Sequence, residues 1–358
     1  MKITRIAPVG LLALALVATG CGSNASSGSA SSSAAVTVQL TNCGETKEYP
    51  SPTTKLFVND GNIISIALAA GAADDITAVS SMQRDRDVLA LKYGDETVDG
   101  LNQVADKYPT MENIVAAQPQ VVFAGWGYGF SEEKNLTPDG LSEQGIDTYL
   151  LSETCRQADG NRGTMAPWDA LTTDISNIGA MTGHQDTAES VVNDITARRQ
   201  ALESAPRAAD EPTAFLFDSS SDTIFSSGSF GAPQAMMDSA GVTNALADVQ
   251  DTWTSVSWER LATADPDIIY FVDYPGQSYD EKVEALRSND ATKDLTAVKE
   301  GRFVNLPYAM WTSGSLNIDG AEYIRTSLEH YGLQPASDVR THLDITRLAD
   351  LPGNDWLK

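Results

Sequence analysis

The chain has 358 residues, with 24 Lys or Arg against 49 Asp or Glu, so its formal net charge at pH 7 is −25. This acidic balance disfavours binding to nucleic acid and to anionic lipid, because like charges repel. The chain is also too long for one small hydrophobic core, which suggests two lobes rather than one.

The first 21 residues resemble a bacterial lipoprotein signal peptide. After a short basic start, residues 6–18 form an apolar run that is too short for a routine membrane span, and the motif "ATGC" ends at Cys21. This lipobox-like motif predicts cleavage before Cys21 and lipidation of that cysteine, with an ordinary secretory peptide as the alternative. Residues 22–40 are uncharged and rich in Ser and Ala, so we expect a flexible tether. No later segment resembles a transmembrane helix.

The other two cysteines are expected to pair. With Cys21 lipidated, Cys43 and Cys155 remain as an even pair in an oxidising compartment, which favours a disulfide over two free thiols. The bridge would close a long loop, which the chain-entropy model values at roughly 4–5 kcal/mol.

One phrase occurs twice in the chain. Both "TMENIVAAQPQVVFAGW" (110–126) and "SWERLATADPDIIYFVDY" (257–274) predict a short capped helix, a proline that ends it, and a buried strand. In each copy a glutamate of the first helical turn, Glu112 or Glu259, precedes the proline by seven residues.

The remaining pattern predicts an α/β fold. Further strands are expected at 55–60, 147–153, 213–220 and 301–307. Alternating strands and helices indicate two α/β lobes with parallel-type sheets flanked by helices. We place the lobes at 41–165 and 207–358, joined by one long connecting helix at 166–206 with a break at Gly183.

These features resemble the helical-backbone (class III) substrate-binding lipoproteins of ABC importers. The phrases that carry the resemblance, in chain order, are "MENIVAAQPQVVFAGW", "AGVTNALAD", "SWERLATADPDIIYFVD" and "LTAVKEGRFVNLP". The resemblance implies a monomer without a cofactor of its own, lipid-anchored at the extracytoplasmic face of the cell membrane. It would bind a ferric siderophore or similar metal chelate between the lobes and deliver it to a dimeric ABC permease. Haem, cobalamin and a non-transport receptor function are the alternatives.

The same resemblance gives the repeated phrase a role. In this family a glutamate on each lobe docks onto arginines of the two permease subunits, and Glu112 and Glu259 stand at the matching positions. The alternative is that each glutamate only complements the dipole of its helix.

Candidate ligand contacts follow the predicted strands, where α/β sheets bind ligands. Aromatic side chains suit a large planar or lipophilic ligand, and arginine suits carboxylate, hydroxamate or catecholate oxygens. A packed aromatic loop and a self-neutralising charged loop are the alternatives. The candidates are Trp126, Tyr128, Arg84 and Arg86 in the first lobe, and Trp253, Tyr274, Tyr308 and Trp311 in the second.

Direct metal binding and catalysis find little support. The three histidines are scattered and form no cluster with carboxylates of the kind that binds Mn²⁺ or Zn²⁺. Haem would need an axial tyrosine, for which the candidates are Tyr128, Tyr274 and Tyr308. The sequence contains no G-x-S-x-G, H-E-x-x-H or P-loop motif, so we expect a binding protein and not an enzyme.

Overall fold

Strands and helices alternate along residues 36–357, the part of the chain that the computed structural model describes. The strands are β1 Thr37–Asn42, β2 Glu45–Pro50, β3 Leu56–Asn59, β4 Ile76–Ser80, β5 Gln103–Ala105, β6 Val121–Trp126, β7 Gly129–Phe130, β8 Asp147–Leu150, β9 Thr213–Phe217, β10 Ser219–Ser220, β11 Ile224–Ser227, β12 Thr243–Asn244, β13 Trp253–Val256, β14 Ile268–Asp273 and β15 Phe303–Pro307. The helices are α1 Gly61–Ala69, α2 Arg86–Tyr93, α3 Asp95–Asp99, α4 Met111–Ala117, α5 Pro138–Ser142, α6 Pro167–Thr182, α7 Gln185–Ser204, α8 Ala232–Ala240, α9 Trp258–Ala264, α10 Tyr279–Ser288, α11 Thr296–Glu300, α12 Tyr308–Trp311 and α13 Asn317–His330.

Two parallel sheets organise the molecule, as the α/β prediction required. The first half, residues 36–165, contains a sheet in the order β5-β4-β3-β6-β7, with β8 also paired to β6. The second half, residues 207–357, contains a sheet in the order β12-β9-β14-β15. Strands β3, β6, β9 and β14 run through the sheet interiors as almost entirely buried apolar segments, which is typical of parallel sheets covered by helices on both faces.

Part of the stretch predicted as a tether belongs to a β-strand. Residues 37–40, assigned above to the tether, belong to β1, which pairs with β2 as an antiparallel hairpin. Leu40 is buried in the main core, and this apolar contact stabilises the hairpin against the first half. Cys21 and the signal peptide lie outside the described residues. Within 36–357 no helix combines the length and apolar character needed to cross a membrane.

The repeated phrase folds into the same unit twice, α4–β6 and α9–β14. Thr110 and Ser257 cap the two helices, each accepting a hydrogen bond from a backbone N–H of the first turn, at 3.3 and 3.2 Å. Both helices end at a residue in the left-handed conformation, Gln118 with φ 50° and Asp265 with φ 39°. The proline that follows cannot continue a helix, so the chain turns there into the strand.

Each of these helices lies back against the strand that follows it. Ile114 packs in one hydrophobic cluster with β6, and Leu261 packs in another with β14. Only a short turn separates each helix from its strand, so the helix runs antiparallel to it. The N-termini of α4 and α9, with the exposed Glu112 and Glu259, therefore lie toward the carboxyl ends of the two sheets.

The connector is a helical hairpin rather than one helix. The predicted break occurs at Gly183, which ends α6 in the left-handed conformation with φ 85°. Helices α6 and α7 then pack against each other. Helix α6 contacts α1 of the first half and α8 of the second, and α7 contacts α1 of the first half and α8 and α13 of the second. At helical rise, the 20 residues of α7 span about 30 Å.

A disulfide and direct hydrogen bonds add to this framework. Cys43 in the β1–β2 turn is bonded to Cys155 beyond β8, with their Cα atoms 5.2 Å apart and a sequence separation of 112. The two halves also touch directly, because the Asn62 side chain donates to the Ser313 carbonyl at 2.7 Å. The backbone N–H of Ser315 donates to the Ser65 hydroxyl at 3.0 Å.

Candidate functional site

A cavity of about 850 Å³ lies where the carboxyl ends of the two parallel sheets meet. Its volume falls within the range that is common for small-molecule sites. The chain segments that follow β4, β5, β6, β9, β14 and β15 all reach it, which is the usual ligand position in open α/β sheets. The lining residues are Ser81, Arg84, Asp106, Lys107, Tyr108, Gly127, Tyr128, Lys134, Arg162, Asp218, Ser219, Phe225, Trp253, Tyr274 and Tyr308.

Five of the eight predicted ligand contacts line this cavity. They are Arg84, Tyr128, Trp253, Tyr274 and Tyr308. Arg84 and Tyr128 come from segments that follow strands of the first half, and the other three come from the second half. The structure thus brings together residues from both halves of the molecule.

Trp311 lies outside the cavity, contrary to the prediction. It is fully buried, and its indole N–H donates to the Phe271 carbonyl at 3.1 Å. Its ring packs 5.7 Å from the ring of Tyr270, centroid to centroid. After β15 the chain forms the four-residue helix α12, in which Tyr308 lines the cavity and Trp311 is buried in the core.

Arg86 and Trp126 are also placed elsewhere. Arg86 begins α2, and its guanidinium is paired with Asp87 at 2.9 Å and with Asp99. Trp126 packs against the guanidinium of Arg156, which lies 4.3 Å from the ring centroid. Both side chains therefore contact other residues of the first half and do not line the cavity.

Several lining residues were missed by the sequence reasoning, chiefly Lys107, Tyr108, Lys134, Arg162 and Phe225. Lys107 and Tyr108 follow β5, a strand of only three residues that gives almost no pattern. Lys134 and Arg162 lie in polar loops without regular spacing. The rule that loops beyond strand ends carry function could have found Tyr108, but only after β5 itself was recognised.

Arg84 occupies the floor of the cavity between two buried carboxylates. Its guanidinium stacks on Tyr308, 3.8 Å from the ring centroid. It pairs with Asp60, and its Nε lies 3.2 Å from Oδ2 of Asp85. Burial raises the pKa of Asp85 to about 7, an effect that Arg84 opposes and the neighbouring Asp60 carboxylate strengthens. The charge of Arg84 is thus largely balanced within the protein.

Glycine at position 61 lets this carboxylate pair form. A Cβ atom on Gly61 would lie 2.2 Å from Oδ2 of Asp85, which is far inside van der Waals contact. Asp60, at φ 75°, caps α1 by accepting a hydrogen bond from the Gly61 N–H at 2.9 Å. The local sequence Asp-Gly therefore positions both acids that hold Arg84.

Burial changes the acidity of the phenols in the cavity. Burial raises the pKa of Tyr128 and of Tyr308 well above its usual value, so both hydroxyls keep their protons at neutral pH. Burial likewise raises the pKa of Tyr108. Within residues 36–357, no three His, Cys, Asp or Glu side chains are grouped in a way that could hold a metal ion.

The sequence matches the periplasmic binding protein family over residues 59–309. No curated protein sequence matches the chain. Among solved structures, a periplasmic binding protein from Veillonella parvula is similar, with a TM-score of 0.69 and 21% identity, covering 83% of this chain and 98% of its own.

Two further solved structures are similar to this chain at comparable sequence identity. One is an ABC-type Fe³⁺-hydroxamate transport system from Saccharomonospora viridis, with a TM-score of 0.64 and 19% identity, over 81% of this chain and 98% of its own. The other is a catecholate-siderophore binding protein of Vibrio cholerae, with a TM-score of 0.58 and 16% identity, over 82% of this chain and 99% of its own.

Proposed function

Because this chain belongs to the periplasmic binding protein family, we propose that it binds a ferric siderophore or similar metal chelate and delivers it to an ABC permease. Proteins of this family are extracytoplasmic and bind substrates for transport, so the chain is a binding protein and not an enzyme. The observation that carries the proposal is the large cavity between the two sheets, lined by both aromatic and cationic side chains.

The proposal includes attachment to the membrane. Cleavage before Cys21 and lipidation of that residue would tie the folded part to the outer face of the cell membrane. Two of the similar structures are named for hydroxamate and catecholate siderophores, which supports a ferric chelate as the cargo, while others are named for molybdate, vitamin B12 and haem.

We expect tryptophan fluorescence to report ligand binding, because Trp253 lines the cavity. Purified full-length protein is titrated with ferric hydroxamate, ferric catecholate, ferric citrate, haem and cobalamin. Saturable quenching at submicromolar concentration by a ferric siderophore supports the proposal. Binding of haem or cobalamin alone, or of none of these compounds, contradicts it.

Ligand binding is expected to change the shape of the protein only slightly. Helices α6 and α7 bridge the halves, and buried hydrogen bonds such as Asn62 to Ser313 join them directly. A large hinge rotation would have to break these contacts. Small-angle X-ray scattering with and without saturating ligand should therefore give nearly equal radii of gyration, and a marked decrease would contradict this expectation.

A further inference from the structure

The cationic side chains of the cavity are concentrated on one wall of an otherwise acidic protein. Arg84, Lys107, Lys134 and Arg162 all belong to the first half, each in a different segment beyond a strand. They stand together although the chain carries a net charge of −25. Clustering of one sign of charge in a cleft raises the local concentration of ligands of the opposite sign.

Three of these cations form no salt bridge in the part of the chain that the structure describes. Among the described residues, no salt bridge involves Lys107, Lys134 or Arg162, whereas Arg84 is paired with Asp60 and Asp85. Lys107 and Lys134 are exposed at the cavity wall, and the Nζ of Lys134 lies 5.9 Å from the ring centroid of Tyr108. Arg162 is half-buried and donates to the Thr252 hydroxyl at 2.5 Å.

The two carboxyl groups of the lining do not balance this charge. Asp106 lies on the same wall and offsets at most one of the three positive charges of Lys107, Lys134 and Arg162. Asp218 is buried, and that burial raises its pKa, with Lys282 acting in the opposite direction. The wall of the first half therefore presents positive charge that an anionic ligand would neutralise.

The opposite wall, in the second half, is aromatic. Phe225 and Trp253, on the paired strands β11 and β13, are stacked at 24° with their centroids 6.0 Å apart. Phe225 is 38% exposed, which is unusual for so large an apolar side chain, and it faces the cavity. The indole ring of Trp253 also lines the cavity, so the two stacked rings form an apolar surface there.

Building on the proposed function, we infer that the cargo is an anionic ferric chelate with aromatic donor groups, that is, a catecholate complex. Its negative charge would face Lys107, Lys134 and Arg162, and its rings would lie against Phe225 and Trp253. A ferric tris-hydroxamate is neutral at the metal, and ferric citrate has charge but no rings. Neither complex would interact with both the cationic wall of the first half and the aromatic wall of the second half.

Haem is also anionic and aromatic, but the cavity offers it poor axial ligands. No histidine is among the lining residues that the structure describes. Haem would therefore need Tyr128, Tyr274 or Tyr308 as its axial ligand, without a histidine partner from the cavity lining. The catecholate complex brings its own full set of iron ligands and needs none from the protein.

The inference is tested by comparing two chelates on charge variants of the full-length protein. The variant carrying both Lys107→Gln and Lys134→Gln should bind a synthetic ferric tris-catecholate at least about tenfold more weakly, with little change for a ferric tris-hydroxamate. The control is Lys55→Gln, because Lys55 is exposed before the amino end of β3, at the opposite edge of the sheet. It should leave both affinities unchanged.

A second variant tests the aromatic wall. Phe225→Leu should weaken binding of the catecholate complex, whereas any affinity for ferric citrate should stay as it was, since citrate has no ring to stack. Circular dichroism and the melting temperature establish that each variant is folded.

The outcomes separate this inference from the proposed function. A preference for the hydroxamate complex, or catecholate affinity that is insensitive to both lysines, overturns the inference but leaves siderophore transport standing. Failure of every ferric siderophore to bind overturns both. Tighter binding of the catecholate complex that weakens in the charge variant and at higher salt supports the inference.

Discussion

Replacing both Glu112 and Glu259 by arginine is expected to abolish uptake of the ligand while its affinity for the protein stays normal. Both glutamates are exposed in the first turn of equivalent helices, α4 and α9, at the carboxyl edge of their sheets. A permease made of two subunits would meet the two equivalent surfaces at once. Arginine at these positions would set like charges against the arginines that we propose on the permease, and such contacts are strongly unfavourable.

The experiment needs a control for the helix dipole. Acidic residues in a first turn stabilise a helix, and their reversal costs stability wherever they stand. Asp169 in α6 and Asp186 in α7 are also exposed and in a first turn, but they belong to the connector. Replacing both by arginine makes the same change in net charge.

Uptake of the radiolabelled iron complex is measured in cells that depend on this protein, and affinity is measured by fluorescence on the purified variants. Normal uptake by the Glu112→Arg, Glu259→Arg variant contradicts the docking proposal. Equal loss of uptake in the Asp169→Arg, Asp186→Arg control contradicts it as well, because the effect would then follow from charge alone.

The sequence predicted the fold well where the pattern was local and repeated. A cap, a short amphipathic helix, a proline and a β-branched run each have their own physical cause, and all four recur at α4–β6 and α9–β14. The fold of the connector was harder to predict from the sequence. Gly183 indicated a break, but whether a broken helix continues or folds back depends on which faces pack, and that is a tertiary property.

The cavity was predictable in position but only partly in composition. Tyr274 and Tyr308 follow long strands directly, so the rule about strand ends finds them. Trp311 follows the same strand, but the helical turn that directs it into the core is set by packing. Lys134 and Arg162 reach the cavity from long loops whose paths no periodicity reveals.

Glu153 is a buried carboxyl group that joins the two halves, and no sequence pattern indicated it. It follows β8 and is 4% exposed. One oxygen accepts a hydrogen bond from the Ala232 N–H at the start of α8, at 2.9 Å, and the other has no hydrogen-bond partner among the described residues. Burial raises the pKa of Glu153 to about 7, opposed by the Ala232 N–H and by Arg162.

Replacing Glu153 by glutamine is therefore expected to stabilise the protein at pH 8 and to change little at pH 5. In the unfolded chain the carboxyl group ionises near its ordinary pKa of 4.5, but in the folded protein it holds its proton to about pH 7. The folded state thus binds more protons between these values, so wild-type stability falls as pH rises through this window and is level above it. Across this window the wild-type protein loses on the order of 3 kcal/mol of its free energy of unfolding.

Glutamine keeps the hydrogen-bond acceptor for the Ala232 N–H but cannot ionise. The stability of the variant therefore does not fall with pH through this window for that reason. The general repulsion among surface acids also weakens the protein at high pH, which is why the comparison requires a matched variant. Glu143→Gln removes the same charge from an exposed site without an ion pair among the described residues. Chemical denaturation of the three proteins at pH 5 and pH 8 measures the effect. If Glu153→Gln and Glu143→Gln raise stability equally at pH 8, the carboxyl group of Glu153 ionises without cost in the folded state, and its burial does not destabilise the contact between the halves.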